Sequence, residues 1–274
     1  MKKDDFGDRM KNFEMAEAGR KLMPLLPVMI RLDGKSFHSF TRGLKRPYDE
    51  RMSRAMIETT KYLVEETGAC IGYTQSDEIS LIIYSPDRKS QVFFDGRIQK
   101  LTSVIASLAS VKFIRLIEEL IPEKVHLLPV FDCRVWNVPN KTEAVNCILF
   151  REIDCLKNSI SMAARSFYSH KEVDRKTGSE QQEMLFKKGI NFNDYPVFFK
   201  RGTYVQKIKT SRKFTIDEIS KLPKKHAARI NSDLVVERSE VKSVEFPKLS
   251  SITNGVDVIF DGSEPILFTK EENT

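Results

Sequence analysis

The sequence predicts an α/β (α+β) chain: a ferredoxin-like βαββαβ core followed by a C-terminal helical and basic extension. Three observations carry that prediction. Apolar, strand-like runs at 27–33, 70–75, 79–84 and 130–138 alternate with helix-period segments in the order strand, helix, strand, strand, helix, strand. The two middle runs are separated only by Ser76-Asp77-Glu78, so they form a hairpin. Beyond Asn140 the pattern changes to helix-spaced apolar residues and then a basic run. The expected division is therefore 1–140 for the core and 141–274 for the extension.

Each element has a local cause. Residues 8–23 carry an amphipathic helical pattern that Pro24 stops. The run 27–33 is short, buried in character and closed by Gly34. Asp49 is an N-cap candidate, with Glu50 in the first turn; Met52, Ala55, Met56 and Leu63 then share one face as far as a Gly68 stop. A helix over 97–120 has Leu101, Val104, Ile105, Leu108 and Val111 as its apolar stripe and Pro122 as its stop. Pro139-Asn140 closes the fourth strand. Residues 149–170 read as a helix from Phe150, Ile153, Ile160 and Phe167. Residues 173–182 read as a polar loop, 189–199 as a turn-rich stretch, and 251–274 as short strands with an acidic tail.

The chain has 274 residues, enough for one large domain or two small ones with a real core. Hydrophobic residues make up 41% and charged residues 30%, which excludes a disordered chain. No apolar run approaches the roughly 18 residues of a membrane span, and Pro24 and Pro27 break the greasiest early segment. The charged first residues lack a secretory h-region, so a cytoplasmic protein with no membrane partner is expected. Cys70, Cys133, Cys147 and Cys155 form no C-x-x-C pair and do not cluster with the histidines, which argues for reduced thiols rather than zinc or disulfides. The net charge of +7 fits a polyanionic partner, nucleic acid or a nucleoside triphosphate. Lys200, Arg201, Lys207 and Lys209 begin a basic stretch to Lys225 that fits an RNA backbone or an ordinary solvated face equally well.

In a βαββαβ sheet the third strand lies antiparallel to the first, so Asp33 and Asp77 meet at one edge. Two carboxylates there repel unless a cation lies between them, and Mg²⁺ takes one or two carboxylates plus substrate phosphates. A capped turn and an ordinary hairpin aspartate are the competing explanations. Arg31 shares the strand face of Asp33, and Arg97 and Lys100 share one face at the start of the second long helix. Such cations suit a triphosphate, because phosphoryl transfer depends mainly on positioning and charge neutralisation. Gly34-Lys35-Ser36 is no P-loop: Met29 stands where its first glycine would be. No serine or cysteine nucleophile accompanies His38.

Arg31-Leu-Asp-Gly-Lys-Ser-Phe-His-Ser-Phe40 together with Gly72-Tyr-Thr-Gln-Ser-Asp-Glu-Ile-Ser80 resembles the tRNA(His) guanylyltransferase family, including its guanylyltransferase-like branch that extends RNA in the 3′-to-5′ direction. Pro47-Tyr-Asp49, Arg97-Ile-Gln-Lys100, Phe131-Asp-Cys-Arg134, Asn191-Phe-Asn-Asp194 and Lys200-Arg-Gly202 continue the likeness. The resemblance implies a polymerase-like palm with two Mg²⁺ ions, held by Asp33, the Gly34 carbonyl and Asp77 and supported by Glu78. It implies a nucleotide site at Asp33, Gly34, Lys35, Ser36, Phe37, His38, Ser76 and Asp77, with Arg31, Arg97 and Lys100 on the triphosphate. Arg46 and Asp49 fall at positions of the activation step. By resemblance ATP adenylylates a tRNA 5′-monophosphate, the GTP 3′-hydroxyl displaces AMP, and a pyrophosphate is removed, in a homo-oligomer that is a tetramer.

One departure matters. Eukaryotic members carry H-I-N-N-L-Y-N after an Asp-Cys pair, whereas Asp154-Cys155 is followed here by Leu156, with Met162 ending the segment. That segment is associated with recognising tRNA(His), so its loss implies the branch that repairs tRNA 5′ ends by templated addition. A nucleotide cyclase, whose palm also places acids on a hairpin, and a non-enzymatic RNA-binding protein are the alternatives.

Overall fold

The computed structural model describes residues 5–87, 93–231 and 233–268. Helix α1 (Asp5–Ala18) precedes strand β1 (Val28–Gly34), the single turn α2 (Phe37–Phe40), α3 (Glu50–Thr67), the hairpin β2 (Ile71–Gln75) and β3 (Glu78–Ile83), α4 (Ile98–Leu120) and β4 (Phe131–Asn137). Then come α5 (Lys141–Arg165), α6 (His170–Val173), α7 (Gly178–Phe186), α8 (Val197–Arg201), β5 (Thr203–Lys213), α9 (Ile216–Lys221), α10 (Ala227–Ile230), β6 (Val235–Val244) and α11 (Gly255–Asp261). The strands form one six-stranded sheet in the order β4-β1-β3-β2-β5-β6, with every neighbouring pair antiparallel. Its first four strands have the expected βαββαβ order. The C-terminal half lengthens the same sheet, because β5 pairs with β2 from Thr203 to Gln206 and then runs on with β6 alone.

Alternation along the strands sorts the core into two layers. Val28, Ile30 and Leu32 face α3 and α4, together with Ile79, Leu81 and Ile83. Met29, Ile71, Tyr73, Ile82 and Tyr204 face the opposite layer, with Ile148 of α5 and Val258 and Ile259 of α11. Helix α3 is capped as expected. Asp49 Oδ1 accepts from Arg51 N at 3.0 Å, and Gly68 ends the helix at φ 65°, where a side chain would be strained. Gly72 lets α3 sit close: a Cβ there would lie 2.7 Å from Thr60 Cγ2.

Several sequence expectations are corrected. Helix α1 stops at Ala18 before Gly19 rather than at Pro24, and none of its residues is buried. The inward stripe of α4 is Leu101, Ile105, Ala109, Phe113 and Ile117, whereas Val111 is 54% exposed. At about 100° per residue, Val111 lies about 160° from its stripe neighbours Ala109 and Phe113, on nearly the opposite face. Helix α5 starts at Lys141, not at 149, because Asn140 turns its side chain onto Glu143 N at 2.8 Å and caps it. Of the residues that marked this helix only Ile160 is buried; Phe150, Ile153 and Phe167 point outward. Its inward face is built from Ala144, Val145, Ile148, Cys155, Ala163 and Ala164, interrupted by buried Glu152 and Ser159, which hid the period. The expected loop 173–182 instead contains the start of α7, set by a capping box between Thr177 and Glu180. Past 251, among the described residues, there is a helix, α11, and one bridge between Ile252 and Leu267 rather than short strands. The expected acidic tail at 269–274 lies outside the described residues.

Candidate active site

Strand register brings the two acids together. Asp33 sits opposite Glu78 on β3 and opposite Asp132 on β4. Ser76-Asp77 makes the β2–β3 turn, with Ser76 at φ 50°, and Gly34 N donates to Asp77 O at 3.1 Å, tying the turn to the end of β1. Burial pushes the Asp77 carboxyl up from 3.8. The Ser76 hydroxyl, donating at 3.0 Å, opposes that rise, and the charge of Asp33 adds to it.

Glu78 is buried between two arginines. Its Oε2 accepts from Arg31 Nη2 at 2.5 Å and from Arg151 Nη1 at 3.2 Å. Arg31 Nη2 also reaches Asp33 Oδ2 at 3.1 Å. Burial raises the Glu78 carboxyl, while the charges of Arg151 and Arg31 hold it down. Helix α5 forms the facing wall. Asp154 accepts from Arg151 at 3.1 Å and from Asn158 at 3.3 Å, and Asn158, Ser161, Met162 and Arg165 continue the same helical face. Between wall and sheet edge lies a cleft of about 400 Å³ lined by Arg31, Asp33, Gln75, Ser76, Asp77 and these α5 residues. The motifs missed Arg151, Asp154, Asn158 and Arg165. Their spacing of three, four and seven is a readable stripe once α5 is placed in its true register.

A second hollow of about 590 Å³ adjoins the cleft through Gln75, Ser76, Asn158, Met162 and Arg165. His38, Arg46 and Tyr48 line it, with Phe198 and Phe199 packed against the Tyr48 ring at 5.2 and 4.9 Å. Asp49 borders it, but its carboxylate serves the fold: Arg51 Nη2 donates at 2.9 Å and Lys45 N at 3.3 Å, so it holds the 45–49 loop. The bond from Arg51 keeps this carboxyl below its usual range. Lys35 and Ser36 are exposed beside the cleft, whereas Phe37 is buried against Phe40, Phe113 and Phe131 and supports the loop from beneath.

Other candidates lie elsewhere. Helix α4 meets the Gly34 end of the sheet near Ser110, whose Oγ accepts from Phe131 N at 3.0 Å. Arg97 and Lys100 are ten or more residues earlier on that helix, at least about 15 Å away along its axis. The Arg97 backbone forms a β-bridge with Lys21, and the Lys100 ammonium covers the Phe94 ring at 4.9 Å, so both are anchored at the far end of α4 from Asp33. The expected RNA contacts are largely engaged internally. Lys200 donates to Asn193 O. Arg201 is held by Glu152 at 3.5 Å and the Phe246 carbonyl at 3.3 Å. Lys207 pairs with Glu65 at 3.2 Å. Lys209 is exposed on β5.

Among the described residues no three His, Cys, Asp or Glu side chains converge as a metal cluster. Two hard carboxylates on adjoining strand ends, with the Asp77 carboxyl pushed up chiefly by burial and further by the charge of Asp33, nevertheless fit Mg²⁺, which completes its shell with substrate phosphates and water. The Gly34 carbonyl stands at the same strand end. Among the described residues no helix is long and apolar enough to cross a membrane.

The model of the tRNAHis guanylyltransferase family matches residues 7–139. An uncharacterised protein of Acanthamoeba polyphaga mimivirus is 33% identical over 228 residues, covering 74% of this chain and 77% of its own. The chain belongs to the tRNAHis guanylyltransferase family. Members so named are nucleotidyltransferases, and the tRNA(His) guanylyltransferase of Eremothecium gossypii is 28% identical over 68% of this chain and 84% of its own. A bacterial tRNA(His) guanylyltransferase-like protein in complex with ATP superimposes with a TM-score of 0.73 at 35% identity, covering 90% of this chain and 94% of that one. A structure of such a bacterial protein in complex with GTP gives a TM-score of 0.70 at 32% identity, over 90% and 94%. These likenesses establish the palm-like fold of the family for the sheet and its two helical layers.

Proposed function

We propose that this guanylyltransferase-family protein adds nucleotides, GTP foremost, to the 5′ end of tRNA in the 3′-to-5′ direction. ATP first adenylylates the 5′-monophosphate and releases pyrophosphate; the 3′-hydroxyl of GTP then attacks that phosphate and AMP leaves. Removal of the terminal pyrophosphate completes the cycle. The supporting observation is the meeting of Asp33 and Asp77 at one strand edge, with Arg31 beside them and the cleft open in front.

Asp33, the Gly34 carbonyl and Asp77 would hold Mg²⁺. When bound, Mg²⁺ acidifies an attacking hydroxyl and offsets charge on the phosphates. The chain's own groups do the positioning. Arg31 presents a guanidinium to a phosphate at the cleft floor, Arg165 and Asn158 line the facing wall, and His38 and Arg46 supply polar contacts in the adjoining hollow. Tyr48, Phe198 and Phe199 give that hollow flat apolar surface suited to a base.

Leu156 favours 5′-end repair over strict tRNA(His) recognition, since it is half-buried against the cluster around Ile160 and Leu185 and offers no polar group to RNA. The same reading makes the working form a cytoplasmic homotetramer, and unburied Phe6 and Phe13 on α1 supply apolar surface for assembly. The test is addition of labelled GTP, with ATP and Mg²⁺, to two 5′-monophosphorylated tRNAs: tRNA(His) lacking its extra G, and a non-histidine tRNA missing its first G. Preference for the truncated tRNA is expected. Preference for tRNA(His) overturns the repair reading, and a cyclic nucleotide formed without RNA overturns the transferase reading.

A further inference from the structure

Glu78 is shared in an unusual way. A carboxylate facing one guanidinium normally closes two parallel hydrogen bonds, one to each oxygen. Here both Arg31 and Arg151 converge on Oε2, while Oε1 is buried with no partner. The Nε atoms of both arginines are likewise buried and unpaired. The three groups are well removed from water, with side-chain exposures of 7% for Glu78, 11% for Arg151 and 25% for Arg31. Neither guanidinium has closed a two-pronged pair with Glu78: Arg31 Nη2 also reaches Asp33 Oδ2 and Arg151 Nη2 reaches Asp154 Oδ2, each at 3.1 Å, so Glu78 is the one carboxylate the two arginines share.

We propose that Arg151 is a positioning residue which, by sharing Glu78, keeps the Arg31 guanidinium available to the phosphates of an incoming nucleoside triphosphate. The proposal rests on the nucleotide-transfer reading above. Arg151 itself is set by α5: Asp154 accepts from its Nη2 at 3.1 Å and is steadied by Asn158 at 3.3 Å. The wall of the cleft thereby reaches across to the floor. Without Arg151, Glu78 has one counter-ion left and both oxygens free for it. The buried carboxylate then closes a bidentate pair with Arg31, neutralises it and draws it off the ligand. Arg151 acts through Glu78 and needs no contact with the nucleotide.

The experiment is calorimetric binding of GTP, with Mg²⁺ and without tRNA, to wild type, Arg151→Gln, Glu78→Gln and the double variant, each checked for folding by thermal melting. Arg151→Gln is expected to weaken GTP about tenfold, the scale of one charge-assisted hydrogen bond. In the Glu78→Gln background the same change should move affinity by no more than about twofold, since the shared group is gone. Arg151→Lys keeps the charge and one donor, perturbs folding least, and should bind within about twofold of wild type. Wild-type affinity in Arg151→Gln overturns the proposal, as does an equal loss in both backgrounds or a tenfold loss in Arg151→Lys. If wild type itself binds no GTP, the nucleotide-transfer reading falls and takes this proposal with it.

Discussion

Replacing Phe37 by alanine removes the floor of the loop that follows Asp33. Phe37 is 3% exposed and packs on Phe40, Phe113 and Phe131 at centroid distances of 5.2, 5.5 and 5.1 Å. It also lies directly under Gly34, where a Cβ would stand 2.4 Å from its Cδ2. Burying the ring contributes about 2–3 kcal/mol. Three aromatic contacts add about 0.5 kcal/mol each at the low end of their range. The loss expected for Phe37→Ala is therefore about 4 kcal/mol, within the usual span for a buried Phe-to-Ala change. Phe37→Leu keeps most of the volume and should cost about 1.5 kcal/mol or less. Urea unfolding followed by circular dichroism measures both, provided the slope with denaturant is unchanged. GTP binding measured below the melting temperature should weaken in the alanine variant, because Gly34 and Ser36 lose their support. A stability loss under about 1 kcal/mol for Phe37→Ala, accompanied by lost GTP binding, would refute this reasoning and make Phe37 a direct ligand contact.

Other expectations follow from the same geometry. Asp77→Asn should abolish nucleotide addition without lowering the melting temperature: a carboxyl raised by burial and by Asp33 makes its ionised form unfavourable in the folded state. A lower melting temperature would contradict that electrostatic account. Asp49 is the opposite case. Its folded-state pKa is depressed, so its contribution is present above the unfolded value near 3.8 and disappears as pH falls through the lower folded value. The stability gap between wild type and Asp49→Asn should therefore be full at neutral pH and shrink in acid; a gap independent of pH would rule this out. Arg201→Met removes the counter-ion of Glu152, whose side chain is 6% exposed and keeps the bond from the Leu249 N–H at 2.9 Å, and should cost about 3 kcal/mol in urea unfolding. If that variant were as stable as wild type but bound RNA more weakly, Arg201 would be an RNA contact after all. Lys209→Ala should leave stability within about 0.5 kcal/mol and can be scored by RNA affinity at low salt alone.

Where each side chain's environment is set by neighbours in sequence, the sequence was enough to read it. The four strands, the Asp49 cap, the Gly68 stop and the convergence of Asp33 with Asp77 all follow from period, punctuation and one topological rule. Helix α5 was harder, because its inward face mixes alanines with the buried polar residues Glu152 and Ser159, while large apolar residues such as Phe150 sit outside. Misplacing its face concealed the wall of the cleft, and with it Arg151 and Asn158. Arg97 and Lys100 illustrate a different limit: adjacency on one helix face says nothing about which end of the sheet that face overlies. Basic residues of the extension were visible as charge, but their partners, Glu152 and Glu65, lie far away in sequence and only folding identifies them.

The pairing of β2 with β5 also shapes how the chain must be made. Tyr73 in β2 donates to the carbonyl of Arg201, 128 positions later, at the point where β5 begins. On a ribosome adding roughly 5–20 residues per second, β2 waits about 6 to 25 seconds before its second neighbour exists. Through that interval the nascent sheet ends in an uncapped edge of Ile71, Gly72, Tyr73 and Thr74, whose backbone groups seek a partner strand. A pause in translation within that window therefore prolongs the time in which a stray strand can occupy the place of β5, making the timing of synthesis part of what protects this fold.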